Sequence, residues 1–316
     1  MSGAGLRSKA GEKSFAEPGR TRHDRPVTDH EHSGDIAATD PARLGTTSIS
    51  GGRRLAWAEW GPADGTPVLL CPGAGWSRWL GFGADVVDEL GVRLISVDRP
   101  GLGDSTPAPG RTLTDWADDI ERLGLENPAI VGFSQGAPFA LACAARGIAS
   151  AVAIVSGGDE LARPEFALPP EVRALVELVA ADPAAAEAEF TRFGSADTLW
   201  RMSIDGSADI DRAIYRQPQF ERAFRRALRD GFAQGPAGYA RDTVLHFAPW
   251  PFDVADIRTR VDLWYGGLDT NPTHSPDHGA TLASRIPNAT RHFLPDSGGS
   301  LLWTHATDIL TMLLKG

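Results

Sequence analysis

A serine set between two glycines is the residue in this chain best placed to do chemistry. Residues Gly132-Phe133-Ser134-Gln135-Gly136 follow the apolar run Ala129-Ile130-Val131 and lead into the segment APFALACAA. In a G-x-S-x-G turn between a strand and a helix, the serine takes a strained backbone conformation. Its hydroxyl then stands clear at the C-terminal edge of a sheet. Glycines are needed on either side because a side chain there would collide within the crowded turn. The Gln135 N–H, at the start of the helix, points to where an oxyanion would develop. A serine presented in this way attacks the carbonyl of an ester, thioester or amide. It needs an imidazole to take its proton and a carboxylate to hold the imidazole tautomer.

The elements that must position this serine can be read from hydrophobic patterning. The runs at 67–71, 92–97, 129–133, 151–156, 261–265 and 290–294 are short and apolar almost throughout. Such runs fit strands buried on both faces. Helical patterns at 76–90, 113–123, 136–146, 276–285 and 301–314 alternate with them, which predicts an α/β fold with a mostly parallel, doubly wound sheet. Upstream, 46–50 and 54–60 flank Gly51-Gly52 and fit a β-hairpin. The rhythm breaks between about 158 and 257, a stretch rich in Ala, Glu and Arg with helical patches at 170–181 and 222–232. This predicts a helical lid inserted into one domain spanning 44–316. Residues 1–43 hold few large apolar side chains and are expected to form a disordered arm.

The chain resembles the α/β-hydrolase-fold family from about residue 46 to its end. The G-x-S-x-G turn carries the likeness, together with CPGAGWSRW (71–79), DRPGLGDS (98–105) and LWYGGLDTNPTH (263–274). The first of these is similar to the family's oxyanion loop, so the N–H groups of Ala74 and Gln135 are the expected oxyanion donors. The last is similar to the strand and loop that deliver the triad acid, which the resemblance assigns to Asp269. In the segment 98–105, Pro100, Gly101 and Gly103 are turn residues, and Asp98 and Arg99 read as structural.

The family also implies a histidine just after the last strand, in the chain order serine, acid, histidine. Here that segment reads PDSGGSLLW, with Gly298 and Gly299 where the base should be. Four histidines follow Asp269: His274, His278, His292 and His305. His305, on the predicted terminal helix, is the candidate base carried forward. His274 could approach the pocket from the loop just past Asp269, but only by swapping the usual geometry. If a glycine has replaced the base, histidine at 298 or 299 would raise activity sharply; as the chain stands, slow hydrolysis is expected.

Trp76 and Trp79 sit just past the oxyanion loop, Trp200 falls in the lid and Trp303 follows the Gly-Gly segment. If they line the cleft, the substrate is small and apolar. The alternative is a non-hydrolytic binder or enzyme on the same scaffold. The 316 residues carry 31 Lys+Arg against 41 Asp+Glu, a net charge of −10. That balance argues against nucleic acid as a partner. No apolar run is long enough to span a membrane. Cys71 and Cys143 read as buried free thiols in a cytoplasmic protein, and no metal or other cofactor is implied.

Overall fold

The computed structural model describes residues 35–315. Most of the expected arm, residues 1–34, lies outside the described residues. The remainder of that stretch is packed against the domain. Ile36 is buried and its N–H donates to Gln217 Oε1 at 2.7 Å, while the Trp60 indole donates to the Thr39 carbonyl at 3.1 Å. Chain order therefore begins before residue 44, because Ile36 finds an apolar site that composition alone does not reveal.

Eight strands form one sheet: β1 (Arg43–Ser48), β2 (Arg54–Trp60), β3 (Thr66–Cys71), β4 (Val92–Val97), β5 (Ala129–Phe133), β6 (Ala151–Val155), β7 (Arg260–Gly266) and β8 (Ala289–Leu294). Their order is β1-β2-β4-β3-β5-β6-β7-β8. The β1–β2 and β2–β4 pairs are antiparallel, and from β4 onward every pair is parallel. Alternate residues of the central strands feed two separate apolar layers. Val68, Val131, Ala153 and Trp264 join one, and Leu69, Ile130, Val152 and Leu263 join the other. This is the two-residue period of a strand covered on both faces. Each fully buried Leu or Val contributes roughly 1.5–3 kcal/mol relative to exposure.

The helices are α1 (Leu113–Glu121), α2 (Ala137–Ala145), α3 (Pro170–Ala181), α4 (Pro183–Phe193), α5 (Ala196–Asp205), α6 (Asp209–Tyr215), α7 (Pro218–Gly231), α8 (Ala237–Phe247), α9 (Ala280–Arg285), α10 (Leu301–Thr304) and α11 (Ala306–Leu314). A reciprocal capping box between Thr112 and Asp115 starts α1. Among the described residues, α3 to α8 follow one another with no strand between them, and together they form the segment between β6 and β7.

Two expected helices differ from the pattern. The stretch 76–90 forms successive turns rather than a helix. Gly83 takes φ 62°, and Gly81 packs so tightly on the Trp60 ring that a Cβ would stand 3.1 Å from it. The chain bends there to let aromatic rings meet backbone. The terminal helix is broken at His305, whose φ of −125° separates α10 from α11. Among the described residues, no helix is long and apolar enough to cross a membrane.

A buried charge cluster ties the helical segment between β6 and β7 to the sheet. Arg99 Nε donates to Asp242 Oδ2 at 2.6 Å, Arg111 donates to the other oxygen, and Arg99 also donates to the Pro72 and Gly73 carbonyls. Arg99 and Asp242 side chains have no exposed surface. Removing the carboxylate leaves two guanidiniums buried without a counter-charge. Asp242→Ala is therefore expected to lower unfolding stability by about 3–5 kcal/mol, read from urea denaturation.

Candidate functional site

Ser134 sits immediately after β5, in a single 3₁₀ turn (Ser134–Gly136) that leads into α2, and its φ is +50°. A non-glycine residue rarely holds that conformation, which costs on the order of 1–3 kcal/mol and marks a site whose surroundings enforce it. The enforcement is visible at both glycines. A Cβ on Gly132 would stand 2.8 Å from Ala140 Cβ, and one on Gly136 would overlap the Cys71 carbonyl oxygen. Helix α2 thus packs directly onto β5 and β3, and the serine is pushed outward.

Asp269 follows β7 in a turn locked by side-chain–backbone bonds. Asp269 Oδ1 accepts from the Asn271 N–H at 3.0 Å, and Asn271 Oδ1 accepts from the Thr273 N–H at 3.0 Å. These are Asx turns, in which a short polar side chain holds the backbone two residues on. They bring His274 back over Asp269. His274 Nδ1 lies 2.6 Å from Asp269 Oδ2, and His274 Nε2 lies 2.8 Å from Ser134 Oγ. With the carboxylate accepting from Nδ1–H, Nε2 is left to accept from the serine hydroxyl. Burial pushes the Asp269 carboxyl upward. The facing His274 and the Asn271 N–H more than offset this and hold it below the usual carboxylate range.

His305 was the expected base, and the structure places it elsewhere. It sits at the junction of α10 and α11, with Nδ1 3.0 Å from Thr304 Oγ1, and it is absent from the walls of the cavity over Ser134. The expectation assumed a single helix beginning after Gly299; the break at His305 turns the ring into that junction. His292 is stacked on Trp264 and bonded to Asp262, and His278 lies against Phe293.

Gly298 and Gly299 cannot carry a base. A Cβ on Gly299 would stand 2.9 Å from the Asp269 carboxylate, and one on Gly298 would overlap the carboxylate of Asp211. Gly299→His is therefore expected to lower kcat for a short ester by about 10²-fold or more, because it displaces the acid. This reverses the gain that a glycine-for-histidine replacement would imply, and a steady-state assay on the variant decides it.

A cavity of about 640 Å³ opens over Ser134 and His274. Ala74 and Gln135 line it, while Phe190, Phe193, Leu199 and Phe224 from the helical segment between β6 and β7 form much of its apolar wall. Of the four expected tryptophans, Trp76 lines it. The other three pack against the α5–α7 helices instead. Trp79 lies under the Arg226 guanidinium, Trp200 meets Phe224 edge-on, and Trp303 meets Phe133 and Phe220 while its indole donates to the Gly81 carbonyl. His246, from α8, also reaches the wall. Burial, aided by the neighbouring His274, pushes its pKa down to about 4, so the ring is neutral near pH 7. The thiols are free and buried, and burial pushes Cys71 up to about 12.

A strained serine thus sits at the C-terminal end of a parallel strand, bonded to an imidazole that is bonded in turn to a carboxylate. The alpha/beta hydrolase family profile matches residues 68–310, and the chain belongs to that family. It is 25% identical over 277 residues to a 2-hydroxy-6-oxononadienedioate/2-hydroxy-6-oxononatrienedioate hydrolase of Pseudomonas putida, covering 83% of this chain and 90% of the relative. Two solved structures share the fold. A bromoperoxidase from Bacillus anthracis has a TM-score of 0.60 at 21% identity, covering 87% of this chain and all of that one. An esterase from Exiguobacterium antarcticum has a TM-score of 0.62 at 17% identity, covering 85% and 97%.

His274 and Asp211 are the residues that sequence reasoning did not place at the centre. The available signal for His274 was Asp269 and a histidine five residues apart in one Asn-containing loop, with the serine–acid–histidine order intact. Asp211 gave none, because its partner is a backbone segment nearly ninety residues away.

Proposed function

We propose that the chain is a serine hydrolase of small, apolar carboxylic esters, thioesters or amides, with Ser134 as nucleophile, His274 as base and Asp269 as the orienting acid. The observation that carries this reading is the unbroken relay of 2.8 Å and 2.6 Å from Ser134 Oγ through His274 to Asp269. Ser134 Oγ attacks the substrate carbonyl as His274 Nε2 takes its proton, and the carbonyl oxygen becomes an oxyanion held by the Ala74 and Gln135 N–H groups. Collapse expels the alcohol, thiol or amine, which receives the proton from Nε2 and leaves an acyl group on Ser134. Water, deprotonated by the same nitrogen, then releases the acid and regenerates the serine.

Moving the base from the loop after β8 to the loop after β7 preserves both contacts, so turnover need not be slow. The segment α3 to α8 acts as a lid whose aromatic side chains favour apolar acyl or alkyl groups. The protein works on a small molecule in the cytoplasm.

A fluorophosphonate probe tests the reading, since it reacts only with an activated serine. The wild-type protein is expected to gain one adduct, mapped by peptide mass spectrometry to Ser134, and Ser134→Ala none. A folded wild-type protein that stays unlabelled would overturn the proposal.

A further inference from the structure

The segment after β8 is pinned by a lid carboxylate. Asp211, on α6, is 1% exposed. Its Oδ2 accepts from the Gly299 N–H at 2.9 Å and its Oδ1 from the Ser300 N–H at 2.8 Å. Gly298 faces the same carboxylate so closely that a Cβ there would overlap it. On the opposite side the segment presses on the catalytic loop. A Cβ on Gly299 would meet Asp269 Cγ at 2.9 Å, and the Leu268 N–H donates to the Ser297 carbonyl at 2.9 Å. A second tie runs from Thr270 Oγ1 to the Gly206 carbonyl, between α5 and α6, at 2.9 Å. Both ties end on the α5–α6 part of the lid, one through backbone amides and one through a hydroxyl.

We infer that Asp211 is a positioning residue: by holding the Gly299 and Ser300 amides, it seats the lid and buttresses Asp269 beneath His274. The inference rests on the serine-hydrolase reading and adds to it a coupling between lid closure and triad geometry. When α6 lifts, Asp211 leaves and the amides lose their acceptor. The glycine segment is then free to move away from Asp269, so the relay is fully assembled only under a closed lid. Asp211→Asn keeps the shape of the side chain but turns one of its two acceptor oxygens into an amine that can only donate, so one of the Gly299 and Ser300 N–H groups loses its partner.

The test measures kcat and KM for a short acyl ester, with thermal melting alongside. For Asp211→Asn, kcat is expected to fall about tenfold with KM little changed, as Asp269 loosens. A purely structural role would lower the melting temperature and leave the kcat of the folded protein within about twofold of wild type, and that outcome overturns the inference. Should the asparagine variant fail to fold, Asp211→Ser keeps one acceptor in a smaller side chain and is read by the same criterion. Fluorophosphonate labelling separates the two levels. An unlabelled wild type removes the hydrolase reading and this inference with it, whereas a labelled wild type with an unchanged variant kcat removes the inference alone.

Discussion

Replacing His274 with alanine is expected to lower kcat for a short acyl ester by about 10⁴–10⁶-fold, while His305→Gln stays within about threefold of wild type. The size follows from what the imidazole does. Ser134 Oγ has His274 Nε2 as its partner at 2.8 Å, and without it the hydroxyl must lose its proton to water. Catalysis that survives comes from binding and from amide donors aimed at the oxyanion. Neighbouring His246 is a poor substitute, since burial pushes its pKa down to about 4 and leaves it a weak base. The His305 comparison separates the two imidazoles directly. A large loss at 305 with little loss at 274 would mean that the relay in the β7–α9 loop is not the working one.

Asp269→Asn carries the second large effect, a fall in kcat of about 10⁴-fold with KM little changed. An asparagine amide facing Nδ1 can donate where the carboxylate accepted. The imidazole then carries its proton on Nε2 and offers the serine a donor instead of a lone pair. The Asn271 N–H can still be accepted by the amide oxygen, so the turn that carries His274 survives and the loss reports on the tautomer. The pH dependence has a definite sign. The folded carboxyl is held below its ordinary value, so what it contributes is complete above that value and is lost as pH falls through the lower, folded one. Between about pH 5 and 8 Asp269 therefore stays ionised and does not shape the wild-type profile. A wild-type rate that Asp269→Asn leaves within about tenfold would show that the carboxylate does not orient the base.

The positions of Ser134 and Asp269 were legible because each depends on local rules. The serine is bracketed by Gly132 and Gly136, which the fold requires for close packing against Ala140 and Cys71, and Asp269 follows Gly266-Gly267 at the end of an apolar strand. The histidine that meets Ser134 was harder to read. Gly298-Gly299 suggested a missing partner, and the apolar pattern of 301–314 suggested a helix on which His305 could ride. Nothing local showed that the Asn271 turn would swing His274 through a full reversal onto the serine. Of the tryptophans, Trp76 lies in the wall while Trp79, Trp200 and Trp303 pack against side chains of α7. Apolar side chains obey the same pattern whether they face a ligand or a neighbouring helix.

By itself the amino-acid order determined the alternation of buried strands and helices, and with it a parallel sheet whose C-terminal edge holds a serine in a tight turn. Those features follow from periodicities of two and 3.6 residues and from glycine at positions that tolerate no side chain. Only the tertiary structure decided which imidazole meets the serine, and that the Asp211 carboxylate of α6 occupies the space beside Gly298. Both are contacts between segments distant in the chain, here 140 residues for Ser134 and His274. Their formation depends on how whole elements pack, which no window along the chain can report.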